Sequence, residues 1–172
     1  MPPGIPGEGS GAVLRFEKIL VPVDFSATSR RALIGAAELA RKLGGRLIVL
    51  HVIDTRGLEV AASEGFFEYV NVVGAMRGGA SQELDAMLRA CGAEELVERK
   101  LIEEGAPAGA IQRAAEDHQV DLIVMGTHGR TGVSRWLLGS VAEKTVRLAH
   151  CPVLVVKPLH GEEEETAAAG GD

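Results

Sequence analysis

From residue 18 to residue 156, short apolar runs alternate with amphipathic stretches. Lys18 to Val23 is a β-branched apolar run of strand type. Ala27 to Leu43 sets Leu33, Ala36, Ala37, Ala40 and Leu43 at helical spacing, with Arg30, Arg31, Glu38, Arg41 and Lys42 on the other side. Ser26 is spaced as its N-cap and Gly44-Gly45 as its stop. Arg46 to Ile53 is nearly continuously apolar, as suits a strand covered on both faces. Asp54 to Gly74 has no readable period and holds the aromatic cluster Phe66, Phe67 and Tyr69. Helical spacing resumes over Ser81 to Ala90 and ends at Gly92, and the pair Gly78-Gly79 weakens any extension upstream. Glu95 to Glu103 is a third, more polar strand. Pro107 opens a helix at a position where its missing N–H costs nothing, with Ile111, Ala114 and Ala115 facing inward. Val120 to Met125 is a fourth strand, Gly126 to Leu138 a glycine-rich loop, Gly139 to Ala149 a helix and Pro152 to Val156 a fifth strand.

Strands alternating with helices in this βαβαβαβαβ order predict an α/β fold, with a parallel sheet, helices on both faces and right-handed crossovers. Ligands of such folds bind beyond the carboxyl ends of the strands, where the strand order reverses. Asp24, His51 to Asp54 and the segment from Gly126 onward occupy those ends.

The chain has 172 residues, 46% hydrophobic and 24% charged, which suits one domain with a full core and excludes wholesale disorder. No apolar run reaches the roughly 18 residues of a membrane span. Met1 to Gly11 lacks the basic and apolar regions of a signal peptide, so a cytoplasmic location is expected. A net charge of -6 and 3% aromatic residues argue against backbone-led nucleic-acid binding and against base-stacking platforms. Cys91 and Cys151 form no metal-spaced pair and are read as reduced thiols, with a disulfide as the minor alternative. The expected organisation is a disordered segment over 1–15, one folded domain over 16–158 and a solvated acidic tail over 159–172.

The segment Gly126-Thr127-His128-Gly129-Arg130-Thr131-Gly132, running on to Gly139-Ser140-Val141, carries the most chemistry. Glycine permits positive φ and lets backbone N–H groups approach an anion. Ser140 falls where a helix begins, and a helix N-terminus suits phosphate. Thr127, Thr131, Ser134 and Ser140 add hydroxyls, and Arg130 and Arg135 add charge that either meets phosphate or is solvated. A ligand-free explanation also exists. Ser140 and Glu143 are spaced as a capping box, and glycines after a strand make tight turns. Neither the Walker A pattern nor GxGxxG is present.

The spacing Gly126, Gly129, Gly139, Ser140 resembles the G-x2-G-x9-G-S/T signature of the universal stress protein family. Lys18 to Asp24, His51 to Asp54, Val124 to Gly129 and Cys151 to Val156 resemble its strand segments in the same order. The resemblance covers Phe16 to Pro158 and implies a three-layer, adenine nucleotide alpha hydrolase-like sandwich with strand order 3-2-1-4-5. It also implies homodimers joined through the last strand and an ATP ligand, with or without Mg²⁺. Carried over by motif, Pro22, Val23 and Asp24 line the nucleoside pocket and Val52 meets adenine through its backbone. Met125 and Gly126 run along ribose and phosphates, and Gly129, Gly139, Ser140 and Val141 hold the phosphates.

Asp24 is also placed to serve as a simple turn or capping residue. His51, on a buried strand, is read as a satisfied core histidine, and His128 as a phosphate donor or solvent-exposed side chain rather than a general acid. His118, His150 and His160 have no metal spacing, and Trp136 is read as a packing residue. The function expected is ATP-responsive regulation under stress, with the nucleotide as signal rather than substrate. Slow ATP hydrolysis ranks lower, because the loop offers no lysine and no base is apparent. A nucleotide-free, chaperone-like module is the third alternative.

Overall fold

A computed structural model of the chain describes residues 16–56, 66–127 and 138–157. The N-terminal segment, the acidic tail and residues 128–137, including Gly129, His128, Arg130, Arg135 and Trp136, lie outside the described residues, as does His160. Five strands, β1 (Lys18–Val23), β2 (Arg46–Ile53), β3 (Val97–Glu104), β4 (Leu122–Gly126) and β5 (Val153–Val156), form one sheet in the order β3-β2-β1-β4-β5. Every pairing is parallel, with Val23 opposite His51, Leu20 opposite both Ile48 and Ile123, and Val124 opposite Leu154. Four helices are described: α1 (Ala27–Leu43), α2 (Phe66–Ala90), α3 (Pro107–Asp117) and α4 (Ser140–Leu148).

Alternate residues of a strand point to opposite faces. Ile19, Val21, Leu47, Val49 and Val124 pack with α1 and α2, whereas Leu20, Ile48, Leu50, Ile123 and Met125 pack with α3 and α4. That two-sided burial is why the strands read as continuous apolar runs. Much of the contact that α1 and α3 make with the sheet goes through very short side chains. Ala32, Ala36, Ala37 and Ala40 of α1 and Ala110, Ala114 and Ala115 of α3 are each at most 1% exposed.

α1 begins and ends where its caps predict. The Ser26 Oγ accepts from Ser29 N at 3.1 Å, and Gly44 terminates the helix at φ +73. Gly45 has a different reason for being glycine, since a Cβ there would lie 2.3 Å from the Phe16 carbonyl oxygen. Leu43, expected on the buried face, is 52% exposed. At about 100° per residue it has rotated roughly 80° from Leu33 and left the stripe.

The largest departure from expectation is α2. It starts at Phe66 and runs through Gly74, Gly78 and Gly79 rather than beginning at Ser81. A Cβ at any of these glycines would meet nothing within 4 Å, so they sit on open faces. The opposite face buries Val73, Ala80, Leu84, Met87 and Leu88, and that packing outweighs the glycines' poor propensity. β3 is an edge strand with no fully buried residue, preceded by a 3-10 turn at Glu94–Leu96. Among the described residues no helix is long and apolar enough to cross a membrane.

Candidate functional site

β1 lies between β2 and β4, so successive crossovers leave the centre of the sheet in opposite directions and open a crevice at its carboxyl edge. A cavity of about 800 Å³ occupies that place. Its rim comes from the ends of β1, β2 and β4 and the first turn of α4; its side walls come from α2 (Met76, Ala80, Glu83) and α3 (Pro107, Ile111). Of the ten residues singled out from sequence, Pro22, Val23, Asp24, Val52, Met125, Gly126, Gly139, Ser140 and Val141 all line this cavity. Gly129 lies outside the described residues.

Asp24 follows the last residue of β1, and its carboxylate is structured by the turn that leads into α1. Its Oδ1 accepts from Ser26 N at 3.1 Å and from Ser26 Oγ at 2.6 Å. Its N–H donates to Ser29 Oγ at 3.3 Å. The turn role considered for Asp24 is therefore present, and it coincides with a position on the cavity wall. The next residue, Phe25, has φ 67, a left-handed conformation rare for a bulky side chain. Its ring stacks on His51 with centroids 4.3 Å apart. His51 Nδ1 lies 2.9 Å from Val23 O, so this nitrogen donates to the carbonyl. His51 is satisfied, as expected, yet it belongs to the cavity wall rather than the closed core.

The glycines of the signature serve different ends. Gly126 is not at positive φ. A Cβ on it would come within 2.8 Å of Thr28 Cγ2 and 3.2 Å of Thr28 C, so glycine is required for α1 to reach the end of β4. Gly139 has φ -60 and ψ 148, and its N–H donates to Thr127 O at 2.8 Å, closing the neck of the segment between β4 and α4. The capping box at Ser140 does not form. Gly139 is the N-cap, Ser140 is the first helical residue, and the N-cap residue offers no side-chain cap. With the Gly139 amide bonded to Thr127, the N–H groups of Ser140, Val141 and Ala142 have no partner within the helix.

At the far rim, Arg56 closes on Asp54. Its Nε donates to Oδ1 at 2.7 Å and its second guanidine nitrogen to Oδ2, which holds the Asp54 carboxyl below the usual carboxylate range. Cys91 and Cys151 are free thiols, and partial burial pushes both up from the ordinary thiol range.

Sequence reasoning missed Phe25, Met76, Glu83 and Arg56 as cavity residues. Met76 was hidden because the start of its helix was unreadable, Glu83 because the helix could be read but not its tertiary placement, and the left-handed Phe25 has no signature in composition. His51 lay within the strand-end positions flagged for chemistry, which was the available signal.

The sequence model of the Universal stress protein family matches residues 15–157. Universal stress protein MJ0531 of Methanocaldococcus jannaschii is 37% identical over 143 residues, spanning 83% of this chain and 82% of its own length. Universal stress protein MJ0577 of the same organism is 33% identical over 158 residues, spanning 83% of this chain and 95% of its own. The solved structure of MJ0577 superimposes with a TM-score of 0.71 at 34% identity, covering 85% of this chain and 99% of that one. Universal stress protein UspA from Lactobacillus plantarum superimposes with a TM-score of 0.67 at 28% identity, covering 83% and 98%. By the extent of the family match and the identity to these relatives, the chain belongs to the universal stress protein family.

Proposed function

We propose that this chain is a cytoplasmic, homodimeric regulatory protein of the stress response that binds ATP in the strand-end cavity. The observation that carries the proposal is the gathering of nine of the ten residues singled out from sequence, from four separate segments, on one cavity at the switch point of the sheet. The cavity's size lies within the roughly 300–1,000 Å³ range of small-molecule sites. Uncapped N–H groups at the start of α4 face the end where the signature places phosphate, and a helix N-terminus with open donors favours anions. The apolar strand ends Pro22, Val52 and Met125 supply the nucleoside end. In this reading the nucleotide serves as a signal rather than a substrate. Dimerisation uses β5, an edge strand of four apolar residues on which Leu154 is 43% exposed.

The test is to denature freshly purified protein, identify released nucleotide by chromatography and mass spectrometry, and titrate the emptied protein with ATP. Bound ATP that is lost in Gly129→Val and Ser140→Tyr is the expected result. No released nucleotide and no binding at millimolar ATP would leave the signature as a structural turn. Light scattering of Leu154→Glu, expected to be monomeric where the parent is dimeric, tests the assembly.

A further inference from the structure

We infer that Phe25 and His51 are positioning residues that set the Asp24 carboxylate for the nucleoside; this rests on the nucleotide reading above. The peptide joining Val23 to Asp24 is pinned from both sides. His51 Nδ1–H holds its carbonyl at 2.9 Å, and Ser29 Oγ accepts from its N–H at 3.3 Å. A peptide plane fixed at both polar groups fixes the Asp24 N–Cα bond, and the two Ser26 bonds to Oδ1 then hold the carboxylate that hangs from it. Ser29 is 4% exposed and its Oγ also donates to Ser26 O at 3.0 Å, so that side of the clamp is rigid.

Phe25 closes the circuit. Its left-handed backbone turns the chain so that Ser26 reaches back to Asp24 Oδ1 through both its N–H and its hydroxyl. Glycine would adopt this conformation without strain, whereas phenylalanine carries a strain cost there. What phenylalanine adds is the ring stacked on His51, on the same cavity wall as Asp24. Ring and imidazole thus tie the turn after β1 to the end of the neighbouring strand β2 on the cavity wall. The contacts run from His51 through the Val23–Asp24 peptide and Phe25 back to His51.

The test compares His51→Leu, His51→Asn and Phe25→Gly for binding of ATP and of inorganic tripolyphosphate by calorimetry. Asparagine places an N–H close to the position of Nδ1; leucine keeps bulk but no donor. His51→Leu and Phe25→Gly are expected to weaken ATP roughly five- to tenfold, the scale of one lost hydrogen bond. Tripolyphosphate, which does not reach Asp24, should change by less than about twofold, and His51→Asn should hold ATP within about threefold of the parent. In ligand-free protein the amides of Asp24 and Ser29 should exchange about tenfold faster in His51→Leu but not in His51→Asn. Unchanged ATP binding in His51→Leu, equal loss of both ligands, or no rescue by asparagine would each overturn the inference. A parent protein that binds neither ligand would defeat the nucleotide reading itself. The amide-exchange comparison then still decides the positioning role, and unchanged exchange would refute it.

Discussion

Gly126→Ala probes the seam between the site and the fold. The added methyl would lie 2.8 Å from Thr28 Cγ2 and 3.2 Å from Thr28 C and Cβ. Thr28 is in the first turn of α1, one residue past its start, and cannot swing away without moving the helix. The contact with Cγ2 is shorter than carbon atoms tolerate, so α1 must shift by several tenths of an ångström. Overpacking of this kind costs about 1–3 kcal/mol. In a chain of this size each kcal/mol lowers Tm by roughly 2–4 °C. Urea unfolding followed by circular dichroism would measure the loss, with the slope unchanged. Thr28→Ser removes Cγ2 and leaves only the 3.2 Å contacts. The double variant should therefore recover at least about 1 kcal/mol, a coupling expected for touching residues. If Gly126→Ala unfolds within about 0.5 kcal/mol of the parent and Thr28→Ser has no effect on it, close approach is not the reason for this glycine.

Three further outcomes follow from the site. Ser26→Ala should cost about 1–2 kcal/mol through loss of its N-cap bond to Ser29, whereas Ser140→Ala, which removes no cap, should stay within about 0.5 kcal/mol; urea titration separates them. Because Arg56 lowers the Asp54 carboxyl in the folded state, the pair's small contribution is present above the unfolded carboxyl's value and lost as pH falls through the folded one. Arg56→Gln should thus shift the urea midpoint slightly at neutral pH and not in acid; an equal shift at both would show that packing, not charge, is lost. Burial raises the Cys151 thiol first and the Asp121 charge adds to it, so its alkylation at mildly alkaline pH should be much slower in folded protein than in denaturant. Equal rates by mass spectrometry would contradict that environment.

Where one physical signal dominated, the sequence was readable to the residue. β1, α1 and β2 have the bounds expected, because two-sided burial and a capped 3.6 period leave few alternatives. Val120 was assigned to β4 but precedes it; it is buried, and its N–H goes to Ala115 O rather than into the sheet. Apolarity alone cannot distinguish a strand from its approach. Ser140 shows a related ambiguity. The capping-box spacing was present, but a one-residue offset gave the cap to Gly139, and pattern does not fix a helix start that finely. In α2, glycines suggested an end where distant packing on Val73, Ala80 and Leu84 sustained the helix. For the cavity, the strand-end rule and the signature located the rim, while its walls depended on tertiary placement of α2 and α3 that local sequence does not encode.

The alanine-lined undersides of α1 and α3 set a direction on how this protein can drift. Where a helix lies on a sheet through methyl groups at most 1% exposed, there is almost nothing to truncate and no room to grow. Mutational tolerance at Ala36, Ala37 or Ala114 should be one-sided: glycine weakens the helix modestly, while valine or leucine forces two layers apart. Substitutions that enlarge these positions should therefore be felt as a change in the spacing between layers, whereas the exposed flanks of the same helices are free of that constraint.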